Sequence, residues 1–96
     1  MLKKGFSLKL HIIITKQNKR FVAYSPALDI STSGKTEKQV RERFAELAGI
    51  FIEELVQKKT ITDVLSELGW KKVKKNWTPP KIISSPFIFA KIPVSI

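Results

Sequence analysis

The sequence feature that most constrains how this chain folds is residues 36–59, TEKQVRERFAELAGIFIEELVQKK. Five large apolar residues in this stretch recur at steps of three and four: Val40, Phe44, Leu47, Phe51 and Leu55. On a helix of 3.6 residues per turn they lie along one stripe, which must face an apolar partner. Thr36, followed three residues later by Gln39, is typical of a capping box. The sequence therefore predicts one long amphipathic helix that begins near Glu37 and ends near two lysines.

The same helix carries a second apolar stripe, displaced by roughly 100° from the first. Its members are Ala45, Gly49, Ile52 and Val56. Glycine costs about 1 kcal/mol relative to alanine inside a helix, and small residues permit another element to approach closely. Two interpretations follow: the stripe receives a later helix of the same chain, which we favour, or it contacts a subunit or partner. These four residues, with Ile88 and Ile92, are the candidate interface positions.

The segments before this helix predict three strands. Residues 6–15 alternate between apolar and polar side chains, which is typical of a strand with one buried face. Residues 20–25, rich in β-favouring side chains, predict a second strand that ends at Pro26. Residues 28–33 predict a short third strand before the turn at Gly34. Together they predict an antiparallel three-stranded meander followed by the long helix.

The segments after this helix complete an α+β prediction. Residues 60–68 predict a short helix that ends at Gly69 and covers the second stripe. Residues 70–77 predict a small hairpin or an irregular arm. Residues 87–96 alternate again and predict a C-terminal edge strand, in which Pro93 favours a sheet edge or a bulge. The predicted order is thus β-β-β-α-α-β.

Amino-acid composition indicates how many domains the chain forms and what kind of partner its charge favours. A chain of 96 residues suits a single domain, 1–96, with its core in residues 5–59 and the short helix, basic arm and terminal strand in residues 60–96. The absence of cysteine agrees with a reducing cytoplasm, and no apolar run is long enough to predict a membrane span. A formal net charge of +10 favours nucleic acid or another anionic partner, unless the lysines only solubilise the surface.

Two stretches of the chain resemble the HicB antitoxin family, specifically its small orphan members. Residues 21–40, FVAYSPALDISTSGKTEKQV, carry most of the resemblance, and residues 60–80 resemble the tail of the orphan subgroup. The matching positions are an aromatic strand end, a Pro-x-Leu and a Gly-x-Thr that opens a helix: Tyr24, Pro26, Leu28, Gly34 and Thr36. Val40 stands where the family usually has alanine.

The resemblance implies a partial ribonuclease H fold without ribonuclease activity. Family members typically neutralise a small toxin ribonuclease, so a HicA-like toxin is an expected partner. Three departures matter. Asp29-Ile30 replaces the usual Pro-Gly turn, and the segment after Thr60 is too short for a DNA-binding module. The basic charge would also repel a basic toxin at long range.

Catalytic chemistry is not indicated by the residue pattern. His11 is the only histidine and lies on the polar side of a predicted strand. All acidic residues except Asp29 fall on predicted helices, mostly on their solvent face, so no two-metal constellation follows. We therefore predict a non-enzyme with no catalytic, metal or cofactor residues.

The basic arm WKKVKKNW offers a second candidate site, for nucleic acid. Its lysines could neutralise phosphates while an exposed indole stacks on a base. The candidate contacts are Trp70, Lys72, Lys74, Lys75 and Trp77. The plainer interpretation, which we favour, buries both tryptophans and leaves the lysines in solvent. The predicted function is thus a cytoplasmic, homo-oligomeric, antitoxin-type protein-interaction module, and the alternative is a basic nucleic-acid-binding protein.

Overall fold

A computed structural model of the chain describes residues 8–94. Its elements are β1 (Ile13–Gln17), β2 (Arg20–Ser25), β3 (Ile30–Gly34), α1 (Glu37–Gln57), α2 (Ile61–Glu67), β4 (Lys71–Val73) and β5 (Asn76–Thr78). The first three strands form an antiparallel sheet in the order β1-β2-β3, and the last two form a separate hairpin. The predicted α+β order, three strands followed by a long and a short helix, is confirmed.

Helix α1 begins where the capping signal predicts. Thr36 Oγ1 accepts a hydrogen bond from the Gln39 backbone N–H at 3.0 Å, which satisfies a donor at the helix start. The Gln39 side chain reaches back one residue further than in the usual capping box and accepts from the Lys35 N–H at 2.6 Å. Reciprocal capping therefore fixes the path from β3 into α1.

The face that α1 buries is rotated from the predicted stripe toward Ala48 and Ile52. The buried residues of the helix are Val40, Phe44, Ala48, Ile52 and Leu55. Leu47 and Phe51, which belong to the predicted stripe, are only half-buried. The packing partners decide this rotation, since α1 lies mainly against β3 and β2.

The alternation predicted for the first strand is present, but regular pairing begins late. Along residues 8–14, every second side chain is half-buried and the intervening ones are exposed. Pairing with β2 starts only at Ile13, opposite Tyr24. Beyond that point the β2 chain turns away, because Ser25 Oγ accepts from the Leu28 N–H and Ser25 O from the Asp29 N–H. Residues 6 and 7 of the predicted strand lie outside the described residues.

The buried indole of Trp70 fastens the C-terminal hairpin to this β2–β3 turn. Its Nε1–H donates a hydrogen bond to the Ala27 carbonyl oxygen at 2.7 Å, and only 3% of the residue is exposed. Buried tryptophan usually finds such a partner for its single polar atom. Trp70 and Leu65 thereby extend the core from α1 and the sheet to α2.

The terminal strand predicted over residues 87–96 is not found. Residues 79–94 have no helix or strand, and the last two residues of the predicted strand lie outside the described range. Phe87 and Phe89 are fully exposed, at 102% and 104%. A strand forms only against a partner edge, and within residues 8–94 this segment pairs with none. Alternation predicted the strand character of the segment but could not supply its neighbour.

Helices α1 and α2 end in the same hydrogen-bonded motif. The residue in the left-handed conformation differs between them. Thr60 N–H donates to Leu55 O and Lys59 N–H to Val56 O after α1. Trp70 N–H donates to Leu65 O and Gly69 N–H to Ser66 O after α2. These are two Schellman motifs, and both need a left-handed residue. Gly69 has φ +90°, whereas Lys59 is held at φ +58°.

We expect Lys59→Gly to raise the free energy of unfolding by about 1 kcal/mol, because it removes the strain of a left-handed lysine. Gly69→Ala is the matched opposite change and should lower it by a similar amount. Urea denaturation followed by circular dichroism measures both. Equal destabilisation by the two substitutions would contradict the assignment of Lys59 to a strained cap.

Candidate protein-interaction surface

A groove of about 350 Å³ runs between residues 8–12 and helix α1. Leu8, Leu10 and Ile12 line one side of this groove, and Ala45 and Gly49 line the other. We call this region the α1 groove. Sequence analysis identified its α1 side as a candidate interface, but did not assign Leu8, Leu10 and Ile12 to any site. Their alternation was the available signal.

The favoured interpretation of the second stripe, that a later helix covers it, is wrong for Gly49. A Cβ atom at Gly49 would meet no atom within 4 Å among the described residues. Ala45 is also exposed, Ile52 is buried in the core, and Val56 is 37% exposed. Helix α2 instead packs Leu65 into the common core. The stripe is thus open along part of its length, as the alternative interpretation requires.

Gly34 is closely packed, in contrast to Gly49. A Cβ atom there would lie 3.0 Å from the Val40 backbone nitrogen and 3.2 Å from Gln39 Oε1. The absence of a side chain lets the end of β3 approach the first turn of α1. No such approach accounts for Gly49, because the space beside it is open.

Residues 81–94, called here the C-terminal segment, expose seven large apolar side chains, six of them by three quarters or more. Among the described residues, seven of the twelve large apolar side chains with high exposure lie in it: Ile82, Ile83, Phe87, Ile88, Phe89, Ile92 and Val94. The predicted interface residues Ile88 and Ile92 are 82% and 76% exposed. Isolated exposed apolar residues are ordinary, but a contiguous run marks an interaction site.

The C-terminal segment leaves the domain beside residues 9–12. A second cleft of about 1080 Å³ lies between those residues and residues 78–82, next to Pro26 and Ala27. His11 lines this cleft and is exposed. The start of the segment is therefore close to the strand-like residues that border the α1 groove.

The basic arm forms the predicted hairpin, and its two tryptophans differ. Trp70 is buried and bonded to Ala27, so its ring is not available to stack on a base, which corrects its assignment as a nucleic-acid contact. Trp77 is half-buried, and the Lys72 Nζ atom lies 5.8 Å from the centre of its ring. Lys72, Lys74 and Lys75 are exposed. The hairpin thus presents all three predicted lysines and one partly covered indole.

Titratable groups do not gather into a site within residues 8–94. No group of three or more histidine or acidic side chains is placed to hold a metal ion in that range. Tyr24 Oη donates a hydrogen bond to Asp29 Oδ1 at 2.9 Å. This bond, then desolvation and the carboxylate charge, raise the pKa of Tyr24. Because Asp29 has φ +55°, the contact with Tyr24 fixes a turn residue in an unusual backbone conformation.

Within residues 8–94, no helix is long and apolar enough for a membrane span.

Comparison of the chain with models of known protein families, with curated proteins and with solved structures finds no match. The resemblance to HicB antitoxins therefore stays a prediction from residues 21–40 and 60–80.

Replacing Gly49 by alanine should raise the free energy of unfolding by about 1 kcal/mol, since alanine is the better helix former and has room here. The measurement is urea denaturation at low protein concentration, where a single chain is observed. Gly34→Ala is the matched control and should be destabilising, because its Cβ would crowd the α1 backbone. Destabilisation by Gly49→Ala at low concentration would mean that the α1 groove is already filled within one chain.

Proposed function

We propose that this chain is a non-catalytic protein-interaction module that self-associates, of the kind that the HicB-like resemblance implies. The observation that carries the proposal is the exposure of the C-terminal segment, in which Ile88 is 82% and Ile92 76% exposed. Fully burying one such side chain contributes roughly 1.5–3 kcal/mol. A single chain leaves that contribution unused at several adjacent positions. Binding to another protein surface recovers it.

The α1 groove supports the same proposal, because it is a surface that can receive an apolar segment. Its walls are mostly apolar, with Arg41 as the one charged lining residue. The small residues Ala45 and Gly49 leave room, and strand-like residues 8–12 form one wall. Extended peptides commonly bind at such an edge by adding a strand, with side chains inserted into adjacent pockets. The chain thus presents a donor segment and an acceptor surface for protein binding. A toxin ribonuclease is a second partner proposed for this surface, on the basis of the family resemblance.

The net charge sets the conditions for self-association. Two copies with a formal charge of +10 each repel one another in dilute buffer. Salt screens this repulsion over a Debye length of about 10 Å at 0.1 M. The apolar contact does not depend on the opposite charge of a partner. Association between copies should therefore tighten as salt is added.

Nucleic-acid binding through the β4–β5 hairpin is the alternative function. The exposed Lys72, Lys74 and Lys75, with the partly covered Trp77, favour it. Lysines that neutralise phosphates release counterions, so affinity falls steeply as salt is added. The two functions therefore predict opposite responses to the same variable.

We expect sedimentation of the full chain to show a larger assembly whose dissociation constant falls when salt rises from about 50 to about 500 mM, because screening removes the repulsion between copies. Binding of labelled single-stranded RNA is measured over the same range. A chain that stays monomeric throughout and binds RNA with a steep salt dependence would contradict the proposal and favour the alternative.

Charge-reversal variants assign any RNA binding to a surface. Lys72→Glu, Lys74→Glu and Lys75→Glu together lower the formal charge by six units, from +10 to +4. The matched control makes the same change at exposed lysines away from the hairpin: Lys19, Lys35 and Lys38. Loss of RNA binding in the hairpin variant alone would identify the hairpin as a nucleic-acid site. Equal loss in both variants would indicate attraction by net charge only.

A further inference from the structure

Residues 8–12 have the form of a strand that pairs with no other strand among the described residues. Their side chains alternate between half-buried and exposed, as in a strand with one covered face. Pairing between β1 and β2 begins only at Ile13, and no backbone hydrogen bond joins residues 8–12 to any other described residue. Unpaired backbone groups along an extended segment are a template for pairing with another strand.

The C-terminal segment is a second extended stretch without a neighbour. Its two faces differ: Lys91 lies on the side of Phe87 and Phe89, whereas the other side carries no charge. The uncharged side consists of Ile88, Ala90, Ile92 and Val94. If this side is buried, Lys91 stays in water. The uncharged side is therefore the one suited to an apolar groove.

The body of the chain and its C-terminal segment do not close on each other. The radius of gyration is 16.5 Å, against about 12.5 Å for a compact domain of this length. The longest dimension is 58 Å, twice the next one. The segment is expected to follow an extended course, since proline-rich stretches are semi-rigid. Pro79 and Pro80 directly precede it, and Pro86 and Pro93 lie within it. An extended segment is more easily received by a second copy than folded back onto its own chain.

Reciprocal contacts between two copies would bury twice the area of a single contact. Each copy would donate its own segment and receive that of the other, so the apolar surface of both segments and both grooves would leave water together.

We propose that residues 87–94 of one copy bind as an added strand along residues 8–12 of a second copy, with Ile88, Ala90 and Ile92 inserted into the α1 groove beside Gly49. The exchange is reciprocal and forms a closed dimer, because the same two surfaces are used on both copies. This inference rests on the proposed self-association and names its partner, a second copy of the chain. It also accounts for glycine at position 49, where a side chain would occupy the space that Ile92 needs.

Disulfide trapping tests the exchange, and the chain has no cysteine of its own. Full-length Gly49→Cys is mixed with full-length Ile92→Cys that carries heavy nitrogen, so that a mixed disulfide has its own mass. A second mixture uses Ile88→Cys to allow for a different register. Ile50→Cys, about 100° around α1 from Gly49 and outside the groove lining, replaces Gly49→Cys in the control mixture; Ile50 is 63% exposed. We expect the mixed disulfide with position 49 and not with position 50.

Blocking the groove gives an independent measurement. Gly49→Trp fills space that is open in a single chain, so the monomer should still fold. The dissociation constant of the dimer should rise by about tenfold or more. Ile50→Trp places the same side chain outside the groove and should leave the dimer unchanged. Circular dichroism confirms that both variants are folded.

The possible outcomes separate this inference from the proposed function. A dimer that survives Gly49→Trp and forms no mixed disulfide would overturn the exchange and leave self-association standing. A disulfide within one chain of the Gly49→Cys, Ile92→Cys double variant, at monomer mass, would show that the segment folds onto its own groove and would also overturn the exchange. A chain that is monomeric at every concentration would overturn both.

Discussion

The apolar face of helix α1 is wider than a three-stranded sheet covers, and the rest of the structure depends on this mismatch. The sheet and the turns around it bury one side of the helix, from Val40 and Phe44 to Leu55. The flank formed by Ala45 and Gly49 remains open beside residues 8–12. A narrower helix face would have left a closed domain. The width of this face instead leaves an acceptor surface on an otherwise small core.

Local backbone chemistry holds that arrangement in place at a few points. The reciprocal cap at Thr36 and Gln39 sets the start of α1, and the motif at Lys59 and Gly69 turns the chain after each helix. The hydrogen bond from Trp70 to Ala27 then fixes the hairpin against the β2–β3 turn. These contacts bring the chain out beside residues 9–12, where the C-terminal segment begins. The start of the C-terminal segment and the α1 groove are therefore close to the same edge of the fold.

Much of this architecture could be predicted from the sequence, because it depends on local signals. The start of α1 and the left-handed Gly69 follow from capping residues near in sequence. The same sequence leaves residues 70–77 open between a hairpin and an irregular arm, and the structure has the hairpin. The burial of Trp70 rather than Trp77 could not be predicted, since it depends on a carbonyl 43 residues away. The rotation of the buried face toward Ala48 likewise depends on where the sheet lies.

The partner of the predicted terminal strand also could not be predicted from the sequence. Alternation in residues 87–94 indicates what the side chains require, a neighbour on one side and solvent on the other. It does not say whether that neighbour belongs to the same chain. In the single chain the segment has no partner strand within the described residues, and its apolar side chains face solvent. A second copy supplies the missing edge in our account.

Amide hydrogen exchange over a series of protein concentrations distinguishes an exchanged dimer from a single chain. The account predicts that the amides of residues 8–12 and 87–94 become protected together as concentration rises, while those in the middle of α1 are protected throughout. Rapid exchange of residues 87–94 at every concentration, or protection that does not depend on concentration, would contradict it.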